Sequence, residues 1–263
     1  MICIRSNSLI VLRDEQFKAV LIFIKGEHLI MGIFGFGKKN TKSSGINLDK
    51  TAINLNKEKV HSICLSKTPL NGLKAQVVYV FDYSGSMSSR YKSGEVQKAL
   101  EAIFPIAMEF DDNGSAEVWL FENGFHRLPD LTIDNLEDYI NRETKRYSMG
   151  GTCYAPVMED IVKTFKDSKL PTYVVFITDG DNSDKSKTDK IIIEAAKYPI
   201  FWQFVGLGND GFAYLTKLDD MEGRYVDNAD FFSVATMKDI TYDKLLDEFP
   251  GWLEYPEVKN MFK

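Results

Sequence analysis

Residues 75–86 read Ala75-Gln76-Val77-Val78-Tyr79-Val80-Phe81-Asp82-Tyr83-Ser84-Gly85-Ser86. The almost unbroken apolar run up to Phe81 is what a strand covered on both faces requires, because a half-exposed strand alternates apolar and polar residues. The run ends at Phe81, and Asp82, Ser84 and Ser86 place one carboxylate and two hydroxyls on a turn at the strand's carboxyl end. Oxygen donors with no His or Cys beside them suit Mg²⁺, Mn²⁺ or Ca²⁺ better than zinc or copper.

Outward from this strand the chain alternates strands and helices. Further strands are expected at 116–121, 125–131, 172–178, 200–206 and 231–234, the second of these weaker and edge-like, with helices at 93–110, 135–146, 155–166 and 187–197. Val96, Ala99, Leu100, Ile103, Ile106, Ala107 and Phe110 make one apolar stripe on the first helix. Pro105 inside it predicts a kink. The alternation implies an α/β fold: a doubly wound, mostly parallel six-stranded sheet flanked by helices, with right-handed crossovers. Such sheets bind ligands beyond the carboxyl ends of their strands, where strand order reverses.

Composition narrows the functional classes. A chain of 263 residues with 44% hydrophobic and 27% charged content buries a self-sufficient core. Its net charge of -6 argues against a nucleic-acid partner, whose affinity rests on a positive footprint, and suits a cation. The cysteines Cys3, Cys64 and Cys153 are too scattered for a disulfide framework or structural zinc, so a reducing cytoplasm is the expected location. The apolar stretches 19–24 and 29–36 fall short of a spanning helix, and charges at 13–15 interrupt a signal peptide. Stable membrane insertion is therefore not expected; peripheral association and oligomeric state stay open.

The first 45 residues read as a mobile arm. Lys25-Gly26-Glu27 back-translates to a purine-rich ribosome-binding sequence ahead of Met31, so residues 1–30 are a candidate upstream-start artefact, with Met31 the alternative to Met1. Mass spectrometry of the native N-terminus decides between them. Gly32 to Lys38 spells a P-loop spacing, but Lys39 stands where Ser or Thr is needed. Then come three Ile-x-Leu-x-Lys units beginning at Ile46, Ile53 and Ile63, whose period-two alternation predicts a short β-rich appendage over 46–72. The main domain is expected over 73–253, with a tail at 254–263.

Two later segments supply more oxygen donors. Gly150-Gly151-Thr152 lies between expected helices, and Thr178-Asp179-Gly180-Asp181 ends the strongest later strand. If the strands of Asp82 and Asp179 are neighbours at the switch point, both carboxylates face one crevice, with Ser84, Ser86 and Thr152 converging on it. Asp181 and Asp184 are potential additional ligands, although a solvated acidic loop is the commoner use. Cys153, beside Thr152, reads as a small buried residue or a redox gate. The competing reading makes Asp82 and Ser84 turn caps and Asp179 a strand-end turn residue, and leaves the three-segment coincidence unexplained.

Asp82-x-Ser84-x-Ser86, then Thr152, then Asp179 in Thr-Asp-Gly, resembles the metal-ion-dependent adhesion site of von Willebrand factor A (vWA) domains, in that family's order. The resemblance covers residues 75–234. Within the family, the flanking text is similar to bacterial tellurium-resistance TerF-type proteins and, more distantly, to the copine A-domain. The stretches that carry this are Tyr91-x-x-Gly94-x-Val96-Gln97, Glu109-Phe110-Asp111-Asp112-Asn113-Gly114, Val226-Asp227-Asn228-Ala229-x-Phe231-Phe232 and Glu248-Phe249-Pro250-x-Trp252-Leu253. The Ile-x-Leu-x-Lys units are similar to the start of TerD-type domains but too short to be one.

The resemblance implies that Ser84, Ser86 and Thr152 bind a Mg²⁺-like cation directly, while Asp82 and Asp179 act mainly through bound waters. A hydroxyl-rich shell leaves the ion electrophilic, so the expected partner is a protein that supplies a carboxylate. The expected function is thus a non-enzymatic binding module in a tellurite, toxic-ion or general stress-resistance system. The alternative is a metal-dependent hydrolase or phosphotransferase using the same site. Against it, Ser84 and Ser86 lack a G-x-S-x-G elbow, His28, His61 and His126 are the only histidine bases, and Ser84 stands where a phosphotransfer Asp pair needs its second carboxylate.

Overall fold

The structure is a computed structural model that describes residues 9–12, 20–25, 28–33 and 50–262, apart from 112 and 209–211. The chain divides into two units, Met1–Gly45 and Ile46–Lys263. Within the first, β1 (Leu9–Leu12), β2 (Val20–Lys25) and β3 (His28–Ile33) form a three-stranded antiparallel sheet, in the stretch expected to be a mobile arm. Met31 lies inside β3, paired with Ile22. The P-loop-like residues from 34 onward, and Cys3, lie outside the described residues.

The second unit opens with α1 (Lys50–Ser66), which corrects the expected β appendage. Ile53, Val60 and Cys64 are buried, and their offsets of seven and eleven match two and three helical turns. The apolar-polar alternation of the repeat units was the wrong period to read. Leu55 and Leu65, the second apolar residue of the later units, are each 55% exposed. The helix packs along α3, where His61 Nδ1 and Glu109 Oε1 stand 2.7 Å apart.

The main sheet contains β4 (Gln76–Asp82), β5 (Glu117–Phe121), β6 (Phe125–Arg127), β7 (Thr172–Thr178), β8 (Ile200–Leu207) and β9 (Ala229–Val234), in the order β6-β5-β4-β7-β8-β9. All neighbours are parallel except the β5–β6 hairpin. The chain runs from β4 outward to β5 and β6, then returns to the other side of β4 for β7. Strand order therefore reverses between β4 and β7, as the sequence pattern led us to expect.

Helices cover both faces. Alternate residues of β4 divide between two cores: Val77, Tyr79 and Phe81 enter one, Val78 and Val80 the other. The first core is closed by α1, α2 (Ser88–Lys92), α3 (Glu95–Phe110) and α4 (Tyr139–Thr144), and by the C-terminal helices α8 (Tyr242–Leu245), α9 (Phe249–Glu254) and α10 (Pro256–Met261). The second is closed by α5 (Ala155–Phe165), α6 (Lys185–Ala195) and α7 (Ala213–Asp219). β7 and β8 are buried along their whole length, which explains their continuous apolar text. Among the described residues no helix is long and apolar enough to cross a membrane.

Candidate metal centre

Asp82 ends β4 with its side chain fully buried. Oδ1 accepts from the Ser84 backbone N–H at 2.7 Å, and Oδ2 accepts from the Thr178 hydroxyl at 2.6 Å. The Tyr91 hydroxyl donates to the Asp82 carbonyl at 2.9 Å, holding the strand end against α2. Burial pushes the Asp82 carboxyl up to about 6; the hydrogen bonds from Ser84 and Thr178 oppose the shift and the Asp179 charge adds to it.

From this anchor the hydroxyls run outward. Ser84 Oγ lies 2.9 Å from Ser86 Oγ, and Ser86 Oγ donates to Asp179 Oδ1 at 2.8 Å. Ser84 is buried, whereas Ser86 is exposed and Asp179 half-buried, so the row leads from the sheet interior to solvent. The β4–β7 pairing is what makes this row: it brings Thr178 and Asp179 beside Asp82 across the switch point.

The third segment docks through its backbone. Gly85 N–H donates to the Gly150 carbonyl at 3.0 Å and Gly150 N–H to the Tyr83 carbonyl at 3.3 Å, which makes Ser84 and Gly150 an isolated parallel bridge. A side chain at Gly150 would press on Glu122, and one at Gly151 would lie 2.5 Å from Asn123 Oδ1. Glycines are thus what lets this loop approach the end of β5. Thr152 follows, half-buried; its carbonyl accepts from the Ser183 N–H and hydroxyl at 2.9 and 3.1 Å. The Thr152 hydroxyl makes no hydrogen bond among the described residues. The structure therefore joins Asp82, Ser84, Ser86 and Asp179 by direct contacts and brings Thr152 to the adjoining loop.

The neighbouring acids have other work. Asp184 accepts from the Tyr154 and Ala155 N–H groups at 3.0 and 2.9 Å, capping the start of α5, and Asp181 pairs with Lys185 at 2.5 Å. Cys153 Sγ lies 3.2 Å from Ser183 Oγ. Asp111 and Asn113 accept backbone N–H groups of their own tight turn.

Sequence reasoning missed Thr178, Tyr91 and Tyr154. Thr178 reads as the last residue of a buried strand, and its hydroxyl is the one polar signal there. The tyrosines look like core aromatics, yet Tyr154 OH donates to the Gly180 carbonyl at 2.5 Å, within the loop that carries Asp179.

The residues present fit a hard divalent cation. A fully buried carboxylate and a second half-buried one stand close enough to perturb each other, and among the described residues no cationic side chain pairs with either. Uncompensated buried charge is costly, and a cation held by these oxygens removes the cost.

The family described as "vWA found in TerF C terminus" matches residues 74–261. The chain is 39% identical over 223 residues to the uncharacterized protein YcbR of Bacillus subtilis, a match covering 80% of this chain and 90% of that protein. It is 24% identical over 184 residues to a von Willebrand factor A domain-containing protein of Dictyostelium discoideum, covering 67% of this chain and 18% of that one. Copine-C of the same organism is 31% identical over 97 residues, 35% of this chain and 18% of its own length. Among solved structures, manganese-loaded Plasmodium vivax TRAP protein is 14% identical with a TM-score of 0.47, over 70% of this chain and 73% of that one.

Proposed function

The chain belongs to the family of von Willebrand factor A domains found at the TerF C terminus, and on that footing we propose that it is a non-enzymatic, divalent-cation-dependent protein-binding module. Asp82, Ser84, Ser86, Thr152 and Asp179 are its metal-binding residues. The observation that carries the reading is the row from buried Asp82 through Ser84 and Ser86 to Asp179, open to solvent at one end.

Mg²⁺ is the ion we propose, with Mn²⁺ or Ca²⁺ as alternatives, since all three suit a set of hard oxygen donors. The ion supplies an electrophilic position at the protein surface; the chain's residues fix it there and leave one direction facing solvent for a carboxylate from a protein partner.

A binding role, and not catalysis, is supported by where the two described histidine side chains lie. His61 pairs with Glu109 on α3, and His126 stacks on Tyr147 with Nε2 3.6 Å from Glu122 Oε1. Neither is hydrogen-bonded to a serine of the row. The family's tie to TerF makes a bacterial toxic-ion or general stress-resistance system the setting we propose, in the cytoplasm.

The test is capture of a partner from the native cell by the immobilised chain, in Mg²⁺ and in chelator. Capture that needs Mg²⁺ and is lost in Ser84→Ala/Ser86→Ala, with no turnover of phosphoester or peptide substrates, supports the proposal. Metal-dependent turnover lost in the same variant overturns it.

A further inference from the structure

A second group of carboxylates lies far from Asp82. Asp230 is the second residue of β9, Asp219 ends α7 and Glu248 precedes α9. The strands β4, β7, β8 and β9 are parallel, so Asp230 sits toward the end of the sheet opposite Asp82. Three strand steps separate β4 from β9, about 14 Å at 4.7–4.9 Å per step.

One oxygen from each of these carboxylates lies within 4.8 Å of the others, although Asp230 is only 7% exposed. Burial and mutual repulsion hold the Asp219 and Glu248 carboxyls up to about 7. The cation whose field reaches Glu248 is Arg224, whose Nε and Nη2 are engaged by other groups while its buried Nη1 has no hydrogen-bond partner among the described residues. Nη2 pairs with Asp227 at 2.8 Å and bonds the Asp219 carbonyl, and Nε donates to the Met221 carbonyl at 2.8 Å.

An independent observation points into the same place. Gln203 is the register partner of Asp230 on β8, fully buried, with Nε2 3.4 Å from the Asp230 carbonyl. Its Oε1 has no hydrogen-bond partner among the described residues. The same amide hydrogen-bonds the Asp230 carboxyl, and because buried polar atoms in native proteins are nearly always paired, its orphan oxygen is an acceptor left for an ion or a water. Trp252 shares a surface cleft with Glu248, Asp227 and Tyr255.

We infer that Asp219, Asp230, Glu248 and Gln203 form a second divalent-cation site, separate from the Asp82 centre. The three carboxylate oxygens lie within 4.8 Å of one another, within reach of one ion. Oxygens drawn from several elements suit calcium, which takes six to eight ligands in flexible geometry, better than magnesium, which demands a near-ideal octahedron and keeps its waters. Three carboxylates and a carboxamide oxygen supply at least four of the six to eight oxygens calcium takes, and water from the cleft supplies the rest.

Terbium, a luminescent calcium mimic, tests this, with Trp252 as the local sensitiser. The Ser84→Ala/Ser86→Ala protein is titrated with Tb³⁺ under tryptophan excitation. The expected result is saturable emission that Ca²⁺ displaces at lower concentration than Mg²⁺, weakened at least tenfold in apparent affinity by adding Asp219→Asn/Glu248→Gln. Emission that is absent, or unchanged by the added substitutions, overturns the site; three carboxyls that merely share protons give that outcome. If the quadruple variant does not melt cooperatively, Glu248→Gln alone is added, at an exposed position: a tenfold loss supports the site and an unchanged affinity overturns it.

Discussion

Ser86 Oγ donates a 2.8 Å hydrogen bond to Asp179 Oδ1, joining residues 93 positions apart in the chain. The contact exists because β7 pairs directly with β4, and it sits at the mouth of the proposed metal centre, not within the core. Asp179→Ala should therefore abolish any Mg²⁺-induced rise in melting temperature. In chelator it should stay within about 1 kcal/mol of wild type, since an exposed hydrogen bond contributes little and its removal relieves the repulsion on Asp82. Urea unfolding in chelator measures this, and a loss of several kcal/mol would make Asp179 a structural residue.

Asp184 should behave in the opposite way. It caps α5 through both carboxylate oxygens, so Asp184→Ala should cost about 1–2 kcal/mol. The Mg²⁺ response should survive. Full stability combined with a lost Mg²⁺ response would identify Asp184 as a ligand and displace the cap assignment.

The helical reading of residues 50–66 is equally open to measurement. Ile53→Ala should destabilise by about 2–5 kcal/mol, as for a buried aliphatic side chain, and Leu55→Ala should change stability by no more than about 0.5 kcal/mol. A β-rich appendage with both side chains on alternate-residue positions of one face predicts equal effects, which denaturant melts of the two variants would reveal.

The contrast between α1 and β4 shows what the chain made legible. β4 is covered by helices on both faces, so its apolar run has one reading, and the polar residues that end it are forced to the sheet edge. The repeat units of α1 carry two periods at once: Ile53 and Leu55 suggest a strand, while Ile53, Val60 and Cys64 suggest a helix, and only packing against α3 selects between them. Likewise Asp82, Ser84, Ser86 and Asp179 announce themselves as oxygen donors at strand ends. Thr178 and Tyr154 do not, because their hydroxyls acquire partners only through the fold. The Asp219, Asp230 and Glu248 group was invisible for the same reason: its members come from three elements with no shared spacing.

Burial pushes the Cys64 thiol from 9.0 to about 12, with the Glu109 charge adding to the shift and Lys67 opposing it. The folded chain keeps a proton that the unfolded chain releases in that window. The stability this contributes is present below the unfolded value and lost as pH rises through about 12. Brief alkylation of the native protein near pH 9 should accordingly modify half-buried Cys153 and spare Cys64. Peptide mass spectrometry reads the outcome, and Cys64 labelled as fast as in urea would show that the α1–α3 interface opens.

The central claim is that the row beginning at Asp82 holds a divalent cation, and a thermal melt in Mg²⁺ against chelator tests it most directly. A ligand at a hundredfold excess over its dissociation constant stabilises by about 2.7 kcal/mol, roughly 5–11 °C for a domain of this size. We predict a rise of that order for the wild-type protein and none for Ser84→Ala/Ser86→Ala. Identical wild-type melts in chelator and in excess Mg²⁺ or Mn²⁺ would contradict the account.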